Sequence, residues 1–410
     1  MVGQRVIPIF ILGLSLAASC GMAQQFQLGN LVPVSTLGTA TLIAKPTLTP
    51  LGGSLIFSDS PEDLTAADSF PVALYRDEVQ GEFRVFYHHR NVNIPSLSVG
   101  IAITNISDHS ELLMALGRGQ GLSIYPDAAG QAALAGFLLT QRFPRFLTVL
   151  QPNQSYYVVQ TALLGETASG LLEFVVARIP DDSMPFPLIS NLGRMLSSGS
   201  ASDHPGMLLD ADLPSGLHLG AAAVTTVAYE GSQPIDPAKL PVVAPGNNTR
   251  GTFPHDDRLG HFVVDPSAGL QALPVDSGRT GSGAMPGEYE VGVDAVDGNK
   301  QVYDNGNYGV LYDFHIEIQD SETSLAQTAA PDVPIGMLMQ PSGGSGQYVM
   351  NLPSPRNQPL MSPSVNYKSA WWFYELQPYP AGRDFELQTS LPGGSDGPQR
   401  LLFAPGFTGE

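Results

Sequence analysis

Apolar and polar residues alternate in short runs along most of this chain, and turn-forming residues interrupt the runs. Residues 98–104 place Val99, Ile101 and Ile103 on one side and smaller residues on the other, the period of two that a half-buried strand requires. Comparable runs occupy 39–44, 72–75, 83–89, 111–116, 155–164, 171–179 and 220–230, separated by Gly, Pro, Asn and Asp. The runs 72–75 and 83–89 flank a turn at Gly81, and 155–164 and 171–179 read as a hairpin around 165–170. One segment has helical spacing instead. Leu134, Phe137, Leu138 and Gln141 recur at i, i+3, i+4 and i+7, with Pro126 suited to a first turn and Pro144 ending the run.

Residues 181–218 are poor in strand signal and read as a long loop. Residues 231–248 hold four prolines and end in Gly246-Asn247-Asn248, a linker signature. Strand patterns resume at 260–264, 289–293, 309–318, 346–351, 370–376, 384–389 and 400–404. The pattern predicts an all-β protein of two β-sandwich domains, 24–230 and 249–407, joined by a linker at 231–248, with one short helix in the first domain.

Composition supports the strand reading. Only 14 % of residues are charged, while Gly (44) and Pro (35) are abundant, which suits a sandwich better than a helical protein. Asp and Glu number 38 against 19 Lys and Arg. That excess argues against nucleic acid and anionic membrane surfaces as partners, and it is compatible with cation binding.

The first 23 residues bear on the compartment. Arg5 precedes an apolar stretch from Val6 to Ala18, and Gly21-Met22-Ala23 fits a small-x-small cleavage site before Gln24. This is the pattern of a secretory signal peptide, shorter than the roughly 20 apolar residues a membrane span needs. The one cysteine, Cys20, follows Leu16-Ala17-Ala18-Ser19. Cleavage after Ala23 would remove it, whereas lipobox processing would make it a lipidated N-terminus. Either route leaves no disulfide within the mature chain, and either implies a secreted or cell-surface protein with no later transmembrane span.

Several stretches resemble a group of uncharacterised secreted bacterial β-sandwich proteins, sometimes found with repeats named for the N-terminal domain of copper amine oxidases. The matching residues are Ala73-Leu74-Tyr75-Arg76-Asp77 with Val85-Phe86-Tyr87-His88-His89, and Arg250-Gly251-Thr252-Phe253-Pro254-His255-Asp256-Asp257-Arg258. Gly292-Val293-Asp294-Ala295 leading to Gly306-Asn307-Tyr308-Gly309-Val310-Leu311-Tyr312, and Pro392-Gly393-Gly394-Ser395 before Leu401-Leu402-Phe403, complete the set. The resemblance implies an envelope or extracellular role and carries over no catalytic residue. Copper chemistry is not implied, because the two Asn-Tyr pairs continue with Gly309 and Lys368 rather than an acidic residue, and no His-x-His pair occurs.

Four groups of residues invite chemical readings. Asp294, Asp297, Asn299, Asp304 and Asn305 concentrate oxygen ligands of the kind calcium takes; two tight turns explain the same composition. His255, Asp256, Asp257 and His261 combine imidazole with carboxylate, as zinc sites do, or form a charged turn in which Arg250 and Arg258 pair with the aspartates. Gly393-Gly394-Ser395-Asp396-Gly397 matches the nucleophile-elbow spacing but precedes Pro398 and a strand pattern rather than a helix. Trp371-Trp372-Phe373-Tyr374 divides between two strand faces, so Trp371, Trp372 and Tyr374 are core residues or an exposed platform for sugar rings or a protein partner. Three Asn-x-Ser/Thr sequons occur, at Asn105, Asn153 and Asn247; they would be incidental in a bacterial exported protein and glycan sites only in a eukaryotic one.

The combined reading is a non-enzymatic extracellular or cell-envelope protein with a structural or adhesive role, whose partner is an envelope component or a polysaccharide. A carbohydrate-binding module is the alternative, followed by a metal-assisted hydrolase. No cofactor is expected beyond calcium at the acidic loop. Oligomeric state has no sequence signal. Intact-mass and N-terminal analysis of the exported protein should find Gln24 or lipidated Cys20 as its first residue; a chain that retains Met1 would overturn the export argument.

Overall fold

The computed structural model describes residues 27–141, 143–180, 185–198, 210–319, 334–352, 358–376 and 384–407. Residues 1–26, with Cys20 and the expected cleavage site, lie outside the described residues. The protein is all-β, built from stacked sheets. A wide sheet runs in the order Arg145–Leu150, Glu111–Ser123, Thr167–Arg178, Glu82–Asn91, Ser54–Ser58, Arg250–Phe253, Gly292–Asp294 and Lys300–Val302. It packs on a four-stranded sheet ordered Ser155–Leu163, Ser96–Asn105, Ala221–Tyr229 and Val72–Gln80. Ile56, Val85, Leu172 and Phe174 from the wide sheet meet Val99, Ile101, Ile103 and Val224 in one core. The alternation legible at 98–104 is therefore the inner face of a sandwich.

A second sandwich follows the same logic. One sheet is ordered Leu31–Pro33, Ser369–Leu376, Ile335–Pro341, Gln399–Pro405, Gln271–Val275 and Thr41–Leu42. The other is ordered Leu360–Met361, Val349–Asn351, Asp384–Thr389, Leu311–Ile318, Asp257–Val264 and Thr49–Leu51. Leu273, Met337, Trp371 and Phe403 face Phe262, Phe314, Ile316 and Leu387 across its core. A third cluster, including Phe57, Phe86, Leu134, Phe137, Leu311 and Val349, fills the space between the sandwiches.

The strands do not sort by position along the chain. Leu31–Pro33, Thr41–Leu42 and Thr49–Leu51 pair within the second sandwich, and Arg250–Phe253 and Gly292–Asp294 pair within the wide sheet of the first. Pairing thus crosses the expected boundary at 231–248 in both directions. That proline-rich segment is itself tied down: Val242 bridges Ala73, Val243 packs on the first core, and Pro237 is buried.

The turn expected at Gly81 is present, and the one hairpin expected, around 165–170, is replaced by a crossing between sheets. Val72–Gln80 lies in the four-stranded sheet and Glu82–Asn91 in the wide sheet, so the chain changes sheet at Gly81, which has a φ of 69°. Ser155–Leu163 pairs with Ser96–Asn105, whereas Thr167–Arg178 pairs with Glu82–Asn91 and Glu111–Ser123. Sequential strands with a glycine between them satisfy an arch across a sandwich as well as a hairpin, because both need a tight reversal of the chain.

Helix α1, Pro126–Thr140, begins at its proline as expected and buries Leu134, Phe137 and Leu138. It lies flat on Glu111–Ser123 because that strand presents Gly117, Gly119 and Gly121 beneath it. A Cβ at Gly119 would overlap the Ala133 carbonyl oxygen, and one at Gly121 would overlap that of Ala129. A second helix, α2 (Pro185–Ser198), occupies part of the segment read as a loop and corrects that reading. Its Leu192 and Leu196 pack with Leu112, Met114, Val175 and Ala177 on the wide sheet, so tertiary burial stabilises a helix with a proline-rich start. No helix among the described residues is long and apolar enough to cross a membrane.

Residues 249–407 expressed alone should lack a cooperative melting transition and near-ultraviolet dichroism, because the fragment loses the strands 31–33, 41–42 and 49–51 and their core residues Val32, Ile43 and Leu48. Co-expression with residues 24–230 should restore both signals. A fragment that melts cooperatively by itself would contradict the interleaved pairing.

Candidate functional site

Three passages of the chain from one sandwich to the other converge, and the titratable groups concentrate there. Thr49–Leu51 leads through Gly52-Gly53 to Ser54–Ser58, Arg250–Phe253 leads through Pro254, His255 and Asp256 to Asp257–Val264, and Gly309 precedes Leu311–Ile318. The passages are held together by backbone bonds: Leu311 N–H donates to Asp256 O at 2.9 Å, and Asp257 pairs with Leu51. Gly52 has a φ of 80°, and a Cβ there would overlap Asp256 Oδ1. Glycine fits both demands.

Arg84, on Glu82–Asn91, projects into this junction and is 1 % exposed. Its guanidinium donates to Asp256 O at 2.6 Å, Gly309 O at 3.3 Å and Glu173 Oε2 at 3.1 Å. It pairs with Asp257 Oδ1 at 2.9 Å and stands 4.8 Å from the Phe137 ring centroid of α1. Glu173 is its neighbour in register on the adjoining strand. Burial alone would disfavour the charge on Arg84, but Asp256, Asp257 and Glu173 outweigh it and raise its pKa.

Carboxyl groups outnumber the cations here. Burial pushes the Asp256 and Asp257 pKa values up despite Arg84, and burial together with Glu173 pushes Glu82 up. A raised proton affinity is the direction in which a buried carboxyl cluster avoids uncompensated charge. Arg258, 1 % exposed, extends the network by donating to Glu290 Oε2 and Glu288 O, each at 2.9 Å.

A second buried group adjoins it. Glu288 accepts from Asp276 N at 2.8 Å, Met285 N at 2.8 Å and Tyr312 Oη at 3.0 Å. Asn307 Nδ2 donates to Glu288 O and to Tyr312 Oη. Asp276 accepts from Gln399 Nε2 at 2.7 Å. Burial, then Glu288, raises the Asp276 pKa; burial raises Asp304. Both groups bond one stretch of chain to another from inside. That arrangement fixes geometry, and Asp256, Asp276, Glu288 and Asp304 are each at most 6 % exposed.

The residues singled out from sequence fall into different places. Asp294 Oδ2 accepts from Arg250 Nε at 3.1 Å, and its Oδ1 accepts from Val296 N and Asp297 N. Asp297 pairs loosely with Lys300 at 3.8 Å, and Asn299 and Gly298 take positive φ values in a tight turn. Asp304 lies instead beside the second buried group, where Oδ1 accepts from Gly306 N. Asp294 and Asp304 thus serve separate turns, and among the described residues no three His, Cys, Asp or Glu side chains converge to hold a metal.

His255 pairs with Glu290 at 2.8 Å, while His261 lies further along its strand against His315. Asp256 and Asp257 answer to Arg84, and Arg250 and Arg258 to Asp294 and Glu290, which corrects the expected pairings. Ser395 Oγ is buried and donates to Gln347 O, so it is a turn residue. Trp371 and Trp372 are 2 % and 1 % exposed, Trp372 Nε1 donates to Tyr374 O, and Leu31–Pro33 covers their strand. Tyr374 packs against the second core. Of the two alternatives for Trp371, Trp372 and Tyr374, the exposed platform is therefore corrected: both tryptophans are core and Tyr374 is half-buried at its margin. Asn105 is wholly buried and bonded to His109 O and Leu150 O, which excludes a glycan there.

Sequence reasoning passed over Arg84, Glu82, Glu173, Asp276, Glu288 and Tyr312. One signal was present: Arg84 stands among Phe83, Val85 and Phe86 in a chain with few charges, and a cation in an apolar strand needs a buried partner.

Arg84→Met should destabilise the chain by about 3–5 kcal/mol, because it strands buried carboxylates. The loss should be smaller at pH 5 than at pH 8, since those groups can accept protons; equal losses at both pH values would contradict the charge assignment. Asp276 has a higher proton affinity folded than unfolded, so its contribution is full below the ordinary value of 3.8 and declines as the pH rises toward its folded value. Asp276→Asn keeps the positive φ tolerable. Its melting temperature should match the native protein below pH 3.8 and exceed it increasingly as the pH rises above that value. A constant difference would contradict the raised affinity.

No family model matches the chain, and no curated protein matches it. Among solved structures, the coconut allergen cocosin is 10 % identical over 88 % of this chain and 86 % of that one, with a TM-score of 0.12. An oxalate decarboxylase of Bacillus subtilis is 8 % identical over 90 % and 79 %, with a TM-score of 0.14. Procruciferin, an 11S globulin from Brassica napus, is 8 % identical over 88 % and 85 %, with a TM-score of 0.11. Similarities this low carry no conclusion about fold or activity.

Proposed function

We propose that this chain is a non-enzymatic protein of the cell exterior with a structural or adhesive role, exported by its leader and engaging an envelope component or polysaccharide. The observation that carries the reading is the use made of its titratable groups. Arg84, Arg258, Glu173, Asp276 and Glu288 are hydrogen-bonded to backbone or to other side chains within the junction, and the Asp256 carboxylate lies 3.8 Å from Arg84 without a hydrogen bond. Such a network holds two sandwiches in one arrangement, as a load-transmitting or surface-presenting scaffold requires. Interleaved strands add to this, because neither sandwich is assembled from one continuous stretch of chain.

The acidic balance and the resemblance to secreted bacterial β-sandwich proteins favour the same role. A sugar-binding reading loses its main support, since both tryptophans are in the core. The test is fractionation of cells producing the native chain, followed by chemical cross-linking of intact cells and identification of the linked species. Recovery in the envelope or medium, with a reproducible cross-link to an envelope polymer or protein, is the expected result. Retention in the cytoplasm would overturn the proposal.

A further inference from the structure

The outer face of the Leu311–Ile318 sheet carries a pair of imidazoles that have no hydrogen bond among the described residues. His261 and His315 lie directly opposite each other on adjacent parallel strands. Side chains opposite one another on neighbouring strands share a face, and here the ring centroids are 4.8 Å apart with a tilt of 31°. The inward residues on either side, Phe262, Phe314 and Ile316, fill the second core. His261 is exposed and His315 half-buried, so both rings are reachable from solvent.

The other histidines among the described residues have occupations. His89 contacts Ser58 Oγ and Pro61 O, His255 pairs with Glu290, His218 with Asp210 and His109 with Asp108, and His88 is buried against Phe86. His261 and His315 have no hydrogen bond or ion pair among the described residues. Each can therefore turn a ring nitrogen outward at small cost.

Their surroundings are anionic. Glu386 lies opposite His315 on the next strand, Glu317 stands two residues along the same face, and Asp313 stands two residues the other way. Asp313 is 7 % exposed and its Oδ1 is buried without a hydrogen-bond partner. Carboxylates beside imidazoles raise the local concentration of cations and orient ligand rings through the outer shell.

We propose that His261 and His315 form a two-imidazole site for one divalent transition-metal ion, with water completing its coordination. Imidazole nitrogen suits zinc, nickel and copper(II), and among these divalent ions copper(II) binds nitrogen sites most tightly. Calcium and magnesium, which take oxygen ligands, are poor occupants. The site is independent of the buried junction and of the structural role assigned above.

The experiment is calorimetric titration of the full chain, without a histidine tag, with NiCl2 and CuCl2, on the native protein and on His261→Asn, His315→Asn and the double variant. The native chain should bind one equivalent, copper(II) more tightly than nickel, with each single variant weakened about tenfold or more. The double variant should show no binding in that range. Unchanged melting temperatures in chelator should show that the variants fold, as their side chains lie outside the core.

A second readout uses only the native protein. Substoichiometric nickel should broaden the imidazole resonances of His261 and His315 before those of His218 and His255. Equal binding by the native and double-variant chains, or broadening that spares His261 and His315, would overturn the proposal.

Discussion

The structure depends on one guanidinium. Arg84 bonds to the backbone of Asp256 and Gly309 and to the carboxylates of Glu173 and Asp257, and so it touches two of the passages between the sandwiches and the strand beside its own. The third passage, at Gly52, is packed on Asp256. A buried arginine is costly to desolvate, and its attraction to carboxylates offsets that cost only when the geometry is well satisfied. Here the planar fork reaches two carbonyls and two carboxylates at once, which a lysine could not reproduce. Removing the group leaves acids facing each other; keeping it selects one relative placement of the sheets.

That constraint explains the shifted proton affinities around it. The junction holds more carboxyl groups than cations, and burial makes every uncompensated charge expensive. The shared response is a raised proton affinity across the acid set, alongside donation from backbone amides and Tyr312 to Glu288. Raised carboxyl pKa values often mark catalytic sites. In this protein the same shifts arise from desolvation at groups that bond one segment of chain to another. Their positions inside the junction, at most 6 % exposed for Asp256, Asp276, Glu288 and Asp304, separate them from the solvent-facing imidazoles of His261 and His315.

Leu31–Pro33 and Thr49–Leu51 show how the interleaving is achieved. The chain begins in the second sandwich, builds the first, returns at Asp257 and crosses back at Gly292–Asp294 before finishing in the second. Short strands at the margins cover edges that would otherwise present unpaired backbone groups. Trp371 and Trp372 illustrate the consequence. Their strand would be an edge without Leu31–Pro33, and with it both rings are enclosed.

The sequence by itself determined the local elements. Alternation at 98–104, the apolar spacing of Leu134, Phe137 and Leu138, and the glycines and asparagines of 294–307 report on side-chain faces and backbone φ, which neighbours a few residues away decide. The all-β class followed from these. Only the tertiary structure decided which strands pair, because period-two patterns carry the face of a residue and no address for its partner. The arches at Gly81 and 164–166 were therefore indistinguishable from hairpins, and α2 was hidden because its helical state rests on the apolar face of Glu111–Ser123 and Thr167–Arg178. The same holds for chemistry. Asp256 and Asp257 stood out as neighbours in sequence, while their partner Arg84 lies 172 residues from Asp256, and long-range charge pairing is set by the packing of sheets.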